Sequence, residues 1–426
     1  MYEHLKGKKL LIIGSALEEG MVDVAHEMGI FTIVCDNVLD RKIARAKVTS
    51  DLAWDLDYND TKEIVRRCRE IGVDGVFAGY GEFRVLAACR IAKELGTPFY
   101  ATEEQVLMTA DKRAFRNACE KFGIPVPKNY AGSKGMSEEE KAQIQYPVIV
   151  KPSDRSGRIG ISICANREEL DHAIDYAVNM SESGTFVAES YLVGTEFTAI
   201  YTMVKGKASL SCVDAKYITD DQRKSNFLCD CSIAPAYFVD QIEAELSEKI
   251  AAFMKELGVT DGMANFQGML TESGVYLFEM GLRLNGNNDW RFIEKANGIS
   301  FLKMMIAYSL CGDMCDDLSK DNPHFGEYFC TLPFYAHEGV IARMETEEIF
   351  AQDWVEVSTM NASVGSVMKD DGTSRQKVAA FLIRADSFES VKERIHFIQE
   401  KFIVEDADGN NMLFTPFNTD KLVRSI

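Results

Sequence analysis

No stretch of this 426-residue chain stays apolar for the roughly 18–20 residues that a membrane-spanning helix needs. The opening MYEHLKGKKLLIIG has too short an apolar run for a secretion signal and reads as a first strand, so a cytoplasmic protein is expected, with no membrane partner. A basic surplus is also missing. With 47 lysines and arginines against 66 acids, the net charge of −19 argues against nonspecific binding to nucleic acid. It leaves room for a small phosphorylated ligand, which needs only local positive charge. The 11 cysteines, an odd number without a secretion signal, suit reduced thiols and not a disulfide framework. Cys229-x-Cys231 and Cys311-x3-Cys315 lack a second pair at zinc-site spacing and nearby histidines, so buried or incidental thiols are expected ahead of metal. Low-complexity runs and internal repeats are absent.

What is present is alternation. The length implies two to four packed domains. KKLLIIG (8–14), FTIVCD (31–36) and GVFAG (75–79) read as strands, with helices over 18–28, 61–71 and 83–95. That order predicts a doubly wound parallel sheet with its ligand edge at the strand C-termini, where Gly14, Asp36 and Gly79-Tyr80-Gly81-Glu82 fall. The first turn, Gly14 to Gly20, matches neither G-x-G-x-x-G nor the P-loop pattern. Glu18 and Glu19 sit where a pyrophosphate would dock on the helix N-terminus, which argues against a nicotinamide site. A helix over 111–122, a break at Gly-Ile-Pro-Val-Pro (123–127) and an α+β region follow. The last hundred residues suggest a small β-rich domain with a helix near 388–401.

Three segments carry chemistry. KPSDRSGRIG (151–160) leaves a strand on Lys151 and crosses a loop whose small residues let backbone N–H groups approach phosphate. Read alone, it is equally a solvated hairpin. FVAESYLVGTEF (186–197) places Glu189 at a strand end and Glu196 beyond a turn, where acceptors for adenine and ribose would serve; solvent-facing acids are the plainer reading. MANFQGML (263–270) and VYLFEM (275–280), joined by Thr271–Gly274, set Gln267 opposite Glu279, within about 5 Å and close enough to share a magnesium ion. If the second strand stays extended, Glu279, Gly281, Arg283 and Asn285 share one face.

In sequence and spacing, DKRAFRNACEKFGIPVP (111–127), YPVIVKPSDRSGRIG, FVAESYLVGTEF and NFQGML…YLFEMGLR resemble the ATP-grasp superfamily, in its biotin-carboxylase-like and carbamoyl-phosphate-synthetase-like form. The resemblance covers nearly the whole chain. It implies a pre-ATP-grasp α/β domain over 1–110, an ATP-grasp domain over 111–325 with a lid subdomain at about 146–190, and a β-rich domain over 326–426. It also implies ATP and Mg2+ as cofactors, with Mn2+ as an alternative. Lys112 and Lys151 match its phosphate-binding lysines, and Ser156 and Gly157 lie in its phosphate lid. Glu189, Ser190 and Leu192 match the adenine-binding strand and hinge, Glu196 the ribose acid, Gln267 and Glu279 the metal ligands, and Arg283 the arginine near the transferred phosphoryl group.

One departure stands out. Members commonly read E-x-N-P-R where this chain has Glu279-Met-Gly-Leu-Arg283, so Gly281 replaces a metal-ligand amide. Water or Asn285 would serve in its place, and water is favoured because the Asn285 α-carbon lies about 13 Å further along an extended chain. The reaction implied is ATP-dependent joining of a small-molecule carboxylate and an amine through an acyl phosphate, and a homodimer is compatible with it. Bicarbonate phosphorylation, and ATP binding without catalysis, are the alternatives. Glu82 and the polar segment 214–231, with Lys216, Arg223 and Lys224, are expected near the acceptor.

Overall fold

Four short strands open the chain: β1 (Lys9–Ile13), β2 (Phe31–Asp36), β3 (Leu52–Asp55) and β4 (Gly75–Phe77). They pair in parallel in the order β3-β2-β1-β4, and a helix follows each. This is the arrangement that alternating strands and helices dictate. The short, half-exposed β3 gives little apolar signal and is not anticipated by the sequence reading. The structure is a computed structural model. It describes residues 1–422 apart from 17, 132–133, 156–158, 219–227, 370–371 and 373.

The C-terminal edge of this sheet is occupied by the protein's own charges. Gly14 holds φ +114, and a Cβ there would lie 2.3 Å from Oε1 of Glu18, so the Glu18 carboxylate covers the turn where a pyrophosphate would dock. Glu18 and Asp36 are buried, and Arg84, on the helix after β4, pairs with both at 3.2 Å.

A second, four-stranded sheet holds β5 (Asn129–Ala131), β6 (Val148–Pro152), β7 (Ser162–Cys164) and β8 (Phe186–Ser190), in the order β5-β8-β6-β7. The helix Arg167–Met180 packs on it through Leu170, Ile174 and Ala177, closing a separate small core with Val148, Val150 and Phe186. Eight of the remaining described strands form one large antiparallel sheet. It contains β9 (Thr195–Val204), β10 (Lys207–Ile218), β11 (Cys229–Ala234), β12 (Gly262–Thr271) and β13 (Gly274–Gly281). It continues through β14 (Tyr328–Tyr335), β15 (Val355–Met360) and β16 (Lys377–Ala385), in the order β13-β12-β9-β10-β11-β14-β16-β15. The sheet therefore runs unbroken across residue 326. The N-terminal sheet and the large sheet share one core, in which Phe115 meets Phe253 and Phe266 with ring centroids 6.3 Å apart. Among the described residues, no helix is long and apolar enough to cross a membrane.

Removing Arg84 would take the shared cation away from two buried carboxylates. Arg84→Met should lower unfolding stability by about 3 kcal/mol, the usual scale for breaking a buried ion pair, read as a lower urea midpoint at unchanged m-value.

Candidate active site

Directly opposed residues in an antiparallel sheet share a face. The register lines up Glu279 (β13), Gln267 (β12), Thr198 (β9) and Asp214 (β10), and beside them Tyr276, Met269, Glu196 and Lys216. Glu279 reaches this face because of a bulge. Gln267 pairs with Glu279 but Gly268 pairs with Leu277, so Phe278 is the extra residue. Under strict alternation Glu279 would follow the buried Val275 and Leu277 into the core.

The cations come from two other elements. Asp111 caps the helix Lys112–Lys121 by accepting the N–H groups of Arg113 and Ala114 at 2.8 and 3.1 Å. That fixes Lys112 in the first turn and Arg116 one turn on, along the same helix face. Lys112 Nζ donates to the Arg155 carbonyl at 2.7 Å and lies 3.7 Å from Glu279 Oε2. Lys151, near the end of β6, pairs with Glu189 of β8 at 2.8 Å, and Arg116 pairs with the other Glu189 oxygen. All three side chains are nearly fully buried. One carboxylate shared between two cations neutralises only one of them. Burial, reinforced by the Lys112 charge and only partly opposed by Glu279, pulls the Lys151 ammonium down to about 7. Its Nζ also lies 5.4 Å from the centre of the Phe278 ring, which the bulge turns to this side.

Beyond Gly281 the extended row breaks. β13 ends there, so residues 279 to 285 do not form one continuous strand face. Asn285 instead donates its amide to Asp289, at the start of the helix Asp289–Asn297. Arg283 turns toward the N-terminal domain, where its Nε donates to Glu82 Oε1 at 2.8 Å. Although burial opposes it, Arg283 holds the Glu82 carboxyl below its usual range. Asn265, the cross-strand partner of Gly281, donates to the carbonyls of Gly281 and Arg283 at 3.2 and 3.1 Å. A Cβ at 281 would lie 3.2 Å from that amide nitrogen and 3.4 Å from the Arg283 guanidinium, so the glycine makes room for both.

On the far side of the face, Glu196 pairs with Lys216 at 3.2 Å, both mostly buried. Asp214 accepts the Thr198 N–H at 2.7 Å, and burial raises its carboxyl despite Lys216. Burial, with Asp214 nearby, raises Asp289 well above the carboxylate range. Ser190 is held at the β8 end, its N–H donating to the Lys128 carbonyl at 2.9 Å and its hydroxyl accepting the Lys128 N–H at 3.0 Å. Leu192 lies in the turn before β9. Ser156 and Gly157, like Arg223 and Lys224, lie outside the described residues. The described start of that loop is anchored, with Asp154 accepting from Ser181 Oγ at 2.8 Å and Arg155 donating to the Met180 carbonyl at 2.7 Å.

Lys112, Lys151, Glu189, Glu196, Gln267, Glu279 and Arg283 thus lie in one neighbourhood beside the large sheet. The sequence reading misses Arg116, whose four-residue spacing from Lys112 is the available signal, and Asn265, Thr198 and Phe278, whose positions depend on register. Opposed oxygen donors at Gln267 and Glu279 fit a hard divalent cation.

Residues 111–311 match the family model for the carbamoyl-phosphate synthase L chain, ATP binding domain. Over these residues, just under half of its length, the chain is similar to that ATP binding domain. Among full-length relatives, the carbamoyl phosphate synthase large chain of Campylobacter jejuni is 25% identical over 329 residues, which is 74% of this chain and 30% of that protein. The chain thus spans less than a third of the length of such relatives. Among solved structures, an L-amino acid ligase from Bacillus licheniformis superposes with a TM-score of 0.79 at 17% identity, covering 94% of this chain and 99% of that one. The biotin carboxylase domain of Hydrogenobacter thermophilus 2-oxoglutarate carboxylase, solved with MgADP, ADP and bicarbonate, gives 0.78 at 21%, covering 93% and 90%. At these identities the likeness is one of fold.

The lowered Lys151 ammonium has a signed consequence. The unfolded chain holds that proton up to the ordinary lysine range near 10.5, whereas the folded one releases it near 7. The burial penalty is full below pH 7 and fades as pH rises toward 10.5, by up to about 1.4 kcal/mol per pH unit. Stability relative to Lys151→Met should therefore rise from pH 7 to 10, measured by urea unfolding of both proteins. A flat difference would place the charge in water.

Proposed function

We propose that this chain is an ADP-forming ligase that phosphorylates a small-molecule carboxylate with ATP and hands the acyl phosphate to an amine. The observation that carries this reading is the placement of Lys112 and Lys151 beside Glu279, which Gln267 faces across the strand pair, with the Arg283 guanidinium next to Gly281 at the strand end. A carboxylate oxygen is a poor leaving group until phosphorylated. Moving a γ-phosphoryl group demands charge neutralisation and alignment more than covalent help from the protein.

In this reading Lys112 and Lys151 grip the polyphosphate, and Lys151 exchanges a half-share of Glu189 for a fully charged partner. Gln267 and Glu279 would hold magnesium, which when bound supplies further neutralisation of the phosphates. Arg283 stabilises charge on the transferring group, held in place by Glu82. The backbone at Glu189 to Leu192 takes the adenine edge and Glu196 the ribose, while Asn285 serves from the loop beyond β13. The described end of the 153–160 loop is anchored beside Lys112, as a phosphate lid requires. The acceptor lies toward Glu82 and the β10–β11 connection. The fold shared with a biotin carboxylase domain keeps bicarbonate as the second candidate carboxylate, and the homodimer belongs to the same proposal.

Incubation with ATP, Mg2+ and a panel of carboxylates and amines should yield ADP, phosphate and an amide. AMP and pyrophosphate would overturn the acyl-phosphate route, and ADP release driven by bicarbonate alone would move the assignment to the second reading. Lys112→Ala should lower kcat/KM for ATP by roughly tenfold to a hundredfold, the worth of about 1.5–3 kcal/mol for one charged hydrogen bond.

A further inference from the structure

The first residues of the chain lie against the end of the helix Phe301–Cys311, far from the cleft. Leu5 is fully buried, and Lys8 Nζ donates to the Leu310 carbonyl at 2.9 Å, fixing residues 3–8 beside the helix C-terminus. Gly312 caps the helix in the left-handed region with φ +75. Cys315 also holds a positive φ, 60°, a conformation a side-chain-bearing residue adopts at some cost. These constraints bring together three ligand atoms from two distant parts of the sequence. Cys311 Sγ and Cys315 Sγ are 3.8 Å apart, Cys315 Sγ and His4 Nε2 are 3.8 Å apart, and all three lie within 4.8 Å of one another.

That triangle has the dimensions of a metal face. Zinc binds thiolate at about 2.3 Å and imidazole at about 2.0 Å, so a tetrahedral ion places such ligands about 3.6–3.8 Å apart. Two sulfurs and one nitrogen select a borderline-soft ion over magnesium or calcium, which take oxygen. His4 and Cys311 are exposed and Cys315 is half-buried, so an ion can enter and a water can complete the tetrahedron. Nothing in the proposed ligase chemistry uses these residues.

We propose that His4, Cys311 and Cys315 form a zinc site that fastens the N-terminal segment to the last helix before β14. Three protein ligands and a water make it a moderate-affinity site, occupied or empty with the zinc supply, and distinct from the oxygen-lined position at Gln267 and Glu279.

The test uses the full chain, reduced, chelator-stripped and kept in excess Mg2+ so that oxygen ligands are satisfied. Titration with Co2+ should give, at one equivalent, thiolate charge-transfer absorption and the visible bands of a tetrahedral ion, both erased by Zn2+. Zn2+ alone should raise the thermal unfolding midpoint. His4→Ala and Cys315→Ser should each weaken binding by more than about tenfold, the lower bound even for an outer-shell partner, and remove the thermal shift. Cys229→Ser should leave both intact. The absence of charge-transfer absorption would overturn the site, as would absorption that survives both variants. So would a Cys311–Cys315 pair that forms a disulfide and, once reduced, binds no zinc.

Discussion

Cations gathered in one neighbourhood have to fold together before any anionic ligand arrives. Here that constraint is met by giving each cation a carboxylate from another element. Glu189 serves Arg116 and Lys151, Glu279 stands by Lys112, Glu82 holds Arg283, and Glu196 holds Lys216. Each partner comes from a different strand or helix, so the electrostatics knit the second sheet, the large sheet and the N-terminal sheet together. Without these acids, five cations in a partly dehydrated space would repel one another and the sheets would separate. Their presence also explains how a protein of net charge −19 can carry a locally cationic cleft.

The pairing is also economical in information. A shared carboxylate such as Glu189 leaves residual positive charge, and residual charge is what an anionic ligand recognises. Full neutralisation would give a more stable fold with a weaker site. The large sheet contributes the opposite feature, a rigid row of oxygen donors whose spacing is fixed by backbone pairing and not by side-chain rotamers. One irregularity, the Phe278 bulge, turns Glu279 onto that row.

How much of this could be read from the residues follows from the range of each interaction. The facing of Gln267 and Glu279 is legible from the turn between them, because hairpin pairing is local, although the Phe278 bulge sets its register. Lys112, Lys151 and Glu189 were legible by type and order along the chain. Their mutual contacts were not, since nothing in a strand's own sequence says which helix faces it. The extension from Glu279 to Asn285 fails because alternation predicts direction only while a strand persists, and this one gives way to a loop held by Asn265. Glu18, read as an obstacle to pyrophosphate, does fill that place, but its partner Arg84 lies 66 residues away. The Cys311–Cys315 pair looked incidental because its histidine sits at position 4. The helices Asp289–Asn297 and Phe301–Cys311 also went unread, the second because buried helices carry little amphipathic contrast.

The unbroken sheet across residue 326 bears on how the chain can be divided. β11, which precedes residue 326, uses its outer edge to pair with β14 through Ser232, Ile233 and Ala234. A fragment ending before β14 would expose that row of backbone N–H and C=O groups, together with the buried Cys231 and Ile233 that pack against the C-terminal core. Such a piece would carry an open, apolar edge suited to recruiting another strand. The C-terminal hundred residues therefore act less as an appended module than as a cover sealed onto the large sheet by hydrogen bonds.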